Sequence, residues 1–153
     1  MSRAINLEAA VWVTQLSKRT LWRRLSEGQI TRQDNDGEGR TMLTFEDIVP
    51  MFCIPVAQED YDLIVEAAAG DAEAQNNVAL LFLDADKPDL CLHWLTLAVD
   101  QGHPDAMHNL SKLYIQGCGT LKNDSLGLMW LAKAADLGHV IAGEQVAALT
   151  RFR

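Results

Sequence analysis

The sequence has few of the features that mark disulfide-bonded, membrane-spanning or metal-binding proteins. Its three cysteines, Cys53, Cys91 and Cys118, are widely spaced and form no CxxC pair, so neither a disulfide framework nor a zinc site is supported. We expect reduced, mostly buried cysteines. The longest aliphatic and aromatic run, "VALLFL" at residues 78–83, is too short to cross a bilayer, and no signal-peptide core follows Arg3. The sequence therefore predicts a cytoplasmic protein with no membrane segment, no metal and no cofactor.

Recognisable catalytic motifs are also missing. The chain contains no glycine-rich phosphate loop, no HExxH, no GxSxG, and no Cys/His pair at a supporting spacing. The paired carboxylates Glu59 and Asp60 lie at the start of a predicted helix, where acidic side chains interact favourably with the helix dipole. We assign no catalytic residue and predict that the protein is not an enzyme.

Charge is distributed unevenly along the chain. Residues 1–50 hold seven basic and seven acidic side chains, whereas residues 51–153 hold six basic and fourteen acidic ones and so carry the whole net charge of -8. Such a shift indicates two modules with different surfaces. Pro50 and Pro55 interrupt any helix between them. We predict a first domain over residues 1–50, a linker over 51–59 and a second domain over 60–153.

The second domain contains internal repeats. Matching positions recur as Gly70, Gly102 and Gly138, as Ala74, Ala106 and Ala142, and as Trp94 and Trp130. Glycine at a helix end adopts the left-handed conformation readily, and alanine allows two helices to approach closely. Apolar residues at i, i+3 and i+4 predict one buried face on each helix. We therefore predict a helix pair in each repeat, with Asp124 capping the second helix of its repeat.

The motifs "GDAEA", "GHPDA", "NLSKLY" and "WLAKAADLGH" resemble those of the Sel-one-like repeat family, which is related to tetratricopeptide repeats. The resemblance covers about residues 60–150 and implies an α-solenoid of about two and a half helix pairs. It also implies that a protein partner binds the concave repeat face, while self-association as a homodimer stays open. His103 and His139 follow the matched glycines, so we interpret them as structural repeat positions instead of catalytic bases.

Residues 1–50 predict the order helix, turn, helix, β-hairpin, helix. Asn6 and Ser17 are placed to cap the first two helices, and Gly28 ends the second one. Leu21 and Leu25 have the i, i+4 spacing of an inward face. Strands are predicted at residues 30–33 and 41–44, around the turn sequence "DNDGEG". With the repeats, the predicted fold class is mainly α with one short hairpin.

This N-terminal pattern resembles the small winged helix-turn-helix domain of phage excisionases and MerR-type regulators. The resemblance rests on the motifs "EAA" at residues 8–10, "SKRTLWR" at 17–23 and "EDI" at 46–48. A recognition helix enters the DNA major groove by its N-terminal turns. The resemblance therefore implies double-stranded DNA as a partner, with these contacting residues: Lys18, Arg19, Trp22, Arg23 and Arg40.

Two functions remain open at the level of sequence. In the first, the chain is a bacterial-type DNA-binding regulator whose repeats recruit another protein or dimerise. In the second, it is a non-catalytic adaptor in which the winged helix docks protein instead of DNA. Asp34, Asp36 and Glu38 in the hairpin loop favour the second function, because carboxylates near the phosphate backbone lower DNA affinity.

Overall fold

The computed structural model describes residues 2–151 of the chain. Over that range the fold is mainly helical, with nine α-helices and a small three-stranded sheet, as the sequence predicts. The chain packs into two compact units, one up to Gly70 and the other from Asp71 onward. The first unit therefore continues past the predicted linker of residues 51–59 and includes one further helix.

The N-terminal unit combines four short helices with a three-stranded antiparallel sheet. Its elements are β1 (Ala4–Asn6), α1 (Leu7–Thr14), α2 (Lys18–Ser26), β2 (Arg32–Gln33), β3 (Met42–Thr44), α3 (Phe45–Ile48) and α4 (Tyr61–Ala69). The sheet order is β1-β3-β2. In this register Leu43 of the central strand lies opposite both Ile5 and Arg32. The predicted hairpin is present, although both of its strands are shorter than expected.

Side-chain caps position the first two helices. The carboxamide oxygen of Asn6 accepts a hydrogen bond from Ala9 N–H at 2.8 Å, and the hydroxyl of Ser17 accepts one from Thr20 N–H at 3.1 Å. Both predicted caps are thus confirmed. Asn6 is also buried, and its Nδ2 donates to the carbonyl oxygen of Ala68 at 2.7 Å. One side chain therefore starts α1 and ties the sheet to the end of α4.

Asn6→Ala is expected to lower the free energy of unfolding by about 2–3 kcal/mol, because it removes a cap and leaves the Ala68 carbonyl oxygen buried without its donor. Ser17→Ala removes an exposed cap alone and should cost about 1 kcal/mol. Urea unfolding followed by circular dichroism measures both values. Equal losses in the two variants would show that the bond to Ala68 contributes nothing.

The buried face of α2 is narrower than the sequence predicts. Leu21 is fully buried, but Leu25 is only half-buried, so its predicted inward position is wrong in part. Leu25 lies in the last turn of α2, and the apolar side chain that enters the core after this helix is Ile30. Gly28 follows the helix with φ +77°, which fits its predicted role at the helix end.

The C-terminal unit is a short solenoid of helix pairs. Its elements are α5 (Ala72–Asp84), α6 (Pro88–Asp100), α7 (Pro104–Gln116), α8 (Asp124–Asp136) and α9 (Val140–Thr150). The helices α5 and α6 form one pair, α7 and α8 form a second, and α9 is a single helix packed on α8. This confirms the predicted count of about two and a half repeats.

Matched repeat positions take the roles expected of them. Ala74, Ala106 and Ala142 are all buried, and the three matched glycines follow helix ends with positive φ. The tryptophans differ, since Trp94 is fully buried whereas Trp130 is only half-buried. Trp130 belongs to the last complete pair, which only the single helix α9 follows. Equal sequence positions therefore have unequal burial.

The predicted cap of α8 is corrected by one residue. Asn123 has an extended backbone, and its side-chain oxygen accepts from Leu126 N–H at 3.0 Å, so Asn123 and not Asp124 is the cap. Asp124 is the first helical residue and forms an ion pair with Lys122. The neighbouring Asn and Asp are both good capping residues, and the sequence alone did not identify which of them has the non-helical backbone.

Candidate functional sites

The predicted DNA-contacting residues occupy two elements of the N-terminal unit. Lys18, Arg19, Trp22 and Arg23 lie on α2 and are exposed, and Trp22 exposes 40% of its surface. Arg40 lies in the hairpin loop before β3 and is half-buried. The structure thus gathers four of the five on one helix, at the spacing expected of a single helical surface.

Carboxylates neutralise two of these five residues. Lys18 forms an ion pair with Glu8 of α1. The guanidinium Nε of Arg40 lies 2.5 Å from Asp36 Oδ2 and 3.6 Å from Glu38 Oε2. Hydrogen bonds from the Arg40 backbone N–H and then from its guanidinium lower the pKa of Asp36. Arg40 therefore holds the hairpin loop together instead of projecting a free positive charge.

One further cation, Arg32, lies at the exposed Trp22. The guanidinium of Arg32 lies over the Trp22 ring, 5.9 Å from its centroid, and Arg32 Nη2 donates to Asn35 Oδ1 at 3.3 Å. Within residues 2–151, no carboxylate lies within 4.0 Å of Arg19, Arg23 or Arg32. Arg32 was not among the predicted site residues. No local pattern points to it, because its position over Trp22 depends on the fold that brings β2 beside α2.

A groove of about 650 Å³ opens in the C-terminal unit between α7, α8 and α9. Its lining includes the apolar residues Ile115, Leu128, Leu131, Ala148 and Leu149 and the polar residues Ser111, Lys112, Lys122, Asp124 and Gln145. We call this the α7–α9 groove. Concave apolar surfaces with a few polar groups are typical binding sites.

The two lysines of the α7–α9 groove differ in their surroundings. Lys122 Nζ lies 2.6 Å from Asp124 Oδ1. Lys112 is exposed and has no acidic partner within 4.0 Å in the described part of the chain. No residue of this groove was predicted as a site residue, because the groove is formed by side chains of three helices that come together only in the fold.

Histidines cap two helices and connect α7 with α9. The Nδ1 atoms of His103 and His139 accept hydrogen bonds from Ala106 and Ala142 N–H at 3.2 and 3.1 Å, which gives a physical basis for their repeat positions. An accepting Nδ1 leaves the ring proton of His139 on Nε2, and this atom lies 3.2 Å from Asp105 Oδ1. His108 stacks on the His139 ring and pairs with Gln145.

Acidification is expected to destabilise the C-terminal unit through His108. Burial lowers the pKa of His108, although the hydrogen bond with Gln145 acts in the opposite direction. The unfolded chain therefore takes up this proton below about pH 6.5, while the folded state resists it. The contribution to stability is complete above that pH and falls as the pH drops toward the folded pKa.

Urea unfolding at about pH 7 and about pH 5 measures this effect. The native chain should lose more stability between the two pH values than His108→Gln, which has no titrating ring at that position. An identical pH dependence in both proteins would contradict the role assigned to His108.

Among residues 2–151, no group of three or more His, Cys, Asp or Glu side chains is arranged to hold a metal ion. Cys91 is buried, and burial raises its pKa to about 12, whereas Cys53 and Cys118 are half-buried, so fewer cysteines are buried than expected. The helices of the described chain are too short or too polar to span a bilayer.

Comparisons with known proteins identify the C-terminal repeats. Residues 72–103 and 104–139 match the Sel1 repeat family. A crystal structure of a Sel1 repeat protein from Oxalobacter formigenes aligns with 62% of this chain at 25% identity and a TM-score of 0.53. A protective antigen of uropathogenic Escherichia coli strains that displays an SLR fold aligns with 57% at 22% identity and a TM-score of 0.53.

These matches concern only part of each protein. The aligned regions span 30% and 20% of the lengths of the two similar structures, and no curated protein matches this chain. The family match lies within residues 72–139 and does not extend to the N-terminal unit. The helix pairs of residues 72–139 are therefore similar in sequence and fold to Sel1 repeats.

Proposed function

We propose that this chain is a non-catalytic protein-interaction adaptor whose Sel1 repeats bind a partner protein. The observation that carries the proposal is the uncovered apolar surface at the end of the repeats. Six large apolar side chains of α8, α9 and the turn between them are exposed, namely Leu128, Met129, Leu137, Val140, Ile141 and Leu149. Exposed apolar groups gathered in one region are typical of interaction surfaces.

The contrast with the first helix pair strengthens this proposal. No large apolar residue of α5, α6 or α7 is among the exposed ones of the described chain. Among the solenoid helices of the described chain, the exposed large apolar side chains thus belong to α8, α9 and the turn between them. A protein partner that covers this region removes apolar surface from water, which is the main driving force of association.

In this proposal the N-terminal unit supplies a second docking surface. The surface of α2 combines exposed Trp22 with Arg19, Arg23 and Arg32. Tryptophan and arginine are enriched among the residues that contribute most to protein–protein affinity. The ion pairs of Lys18 and Arg40 with carboxylates favour protein over nucleic acid at this surface, because they reduce its positive charge.

DNA binding by the N-terminal unit is the second candidate function. Arg19 and Arg23 favour it, since both are exposed on α2 with no carboxylate nearby in residues 2–151. The contacting residues would be those predicted from the sequence, Lys18, Arg19, Trp22, Arg23 and Arg40. In this arrangement Lys18 and Arg40 would have to leave their carboxylates to reach phosphate.

A mobility-shift titration on generic duplex DNA across salt concentrations separates the two functions. The adaptor proposal expects no shift at physiological salt for the native chain or for the double variant Arg19→Ala/Arg23→Ala. A salt-sensitive shift in the native chain would overturn it in favour of DNA binding. In that case the double variant should reduce the slope of log affinity against log salt by about 2, since each arginine releases roughly one counterion.

A further inference from the structure

The residues of the α7–α9 groove have counterparts in the preceding repeat. Helices α7 and α9 begin at Pro104 and Val140, so Leu149 of α9 occupies the position of Leu113 in α7. The opposite wall matches as well, because Asp124 at the start of α8 corresponds to Pro88 at the start of α6. Leu113 is 2% exposed and Leu149 is 54% exposed.

In the preceding repeat, the loop after α7 lies against the corresponding end of α6. Cys118 N–H donates to the carbonyl oxygen of Leu113 at 2.9 Å. Gly119 lies so close to α6 that a Cβ atom on it would be 2.5 Å from the carbonyl oxygen of Pro88. The loop is therefore held between the end of α7 and the start of α6. At the next repeat position, the α7–α9 groove is open over the described chain.

Charge indicates what kind of segment fits the open groove. Residues 71–105 hold seven acidic side chains and one lysine, whereas residues 106–151 hold three acidic and four basic ones. Lys112 lines the groove without an acidic partner in residues 2–151. A carboxylate is thus repelled by the first helix pair and attracted to the end that carries the groove.

We propose that the α7–α9 groove binds a short apolar segment of a partner protein that carries an acidic residue beside its apolar side chains. The apolar side chains of the segment cover Leu149, Leu128 and Ile115. The carboxylate pairs with Lys112. This inference rests on the proposed adaptor function, and it names the partner's chemistry at one site.

Selection of a random peptide display library on the full chain tests this inference. Enriched peptides should combine large aliphatic or aromatic residues with Asp or Glu. Fluorescence anisotropy of the synthetic peptides then measures the affinity of each variant. Leu149→Asp and Lys112→Glu should each raise the Kd by about tenfold or more. Leu121→Asp is the control, because Leu121 is 89% exposed in the loop after α7 but does not line the groove.

Three outcomes would overturn the inference. The first is a failure to enrich peptides, or enrichment of peptides without acidic residues. The second is binding that Leu149→Asp leaves unchanged, which places the peptide site elsewhere and leaves the adaptor function standing. The third is a dimeric mass in sedimentation equilibrium that Leu149→Asp reduces to the monomer, which makes a second copy of the chain the occupant.

Discussion

Trp94→Ala is expected to lower the free energy of unfolding by about 3–5 kcal/mol, whereas Trp130→Ala at the matching repeat position should cost about 1–2 kcal/mol. Trp94 is 1% exposed in the interior of the solenoid, while Trp130 is half-buried. The Trp94 indole N–H has no hydrogen-bond partner in residues 2–151, so its loss is one of packing. Trp130 remains partly at the surface, where the Nζ atom of Lys133 lies 4.8 Å from its ring centroid.

Urea unfolding of the two variants under identical conditions measures this difference. The comparison is well matched, because the same residue type is removed from the same position of two consecutive repeats. Equal losses would mean that α9 covers the second helix pair as fully as the second pair covers the first. That result would remove the structural basis of the uncovered surface.

Gly119→Ala is expected to lower the free energy of unfolding by about 3 kcal/mol or more. The residue has φ +73°, and an added Cβ would lie 2.5 Å from the Pro88 carbonyl oxygen and 3.2 Å from Asp89 N. The left-handed conformation alone costs a non-glycine residue about 1–2 kcal/mol. Contact with backbone atoms that cannot rotate away adds a cost of about the size of core overpacking, 1–3 kcal/mol.

Gly102→Ala is the control for this prediction. Gly102 has φ +81°, but no atom lies within 4 Å of its added Cβ, so the variant should show only the conformational cost of about 1–2 kcal/mol. Thermal or urea unfolding compares the two. Equal effects would show that the loop after α7 is not pressed against α6. The preceding repeat would then no longer be a valid comparison for the α7–α9 groove.

The repeats could be predicted from sequence because their signals are local. Glycine at a helix end, alanine at a close approach and the i, i+3, i+4 pattern each depend on the helix itself. Burial depends on neighbouring helices, so the same register gives a covered Leu113 and an open Leu149. For this reason, residue patterns alone could not predict the α7–α9 groove.

The ion pairs of the N-terminal unit could not be predicted from the sequence for the same reason. Ser17 and Asn6 were predicted as caps, since capping involves residues two or three positions away. The Lys18 pair with Glu8 joins two helices, and the Arg40 pair with Asp36 depends on how the hairpin loop closes. A run of basic residues therefore overestimates the free positive charge of α2 and its surroundings.

Affinity capture from a nuclease-treated cell lysate, quantified by mass spectrometry, tests the adaptor function most directly. The native chain is expected to retain a protein through its repeats, and Leu149→Asp is expected to recover much less of it than the control Leu121→Asp. Recovery that is abolished by nuclease and unaffected by Leu149→Asp would contradict the account and assign the chain to nucleic acid.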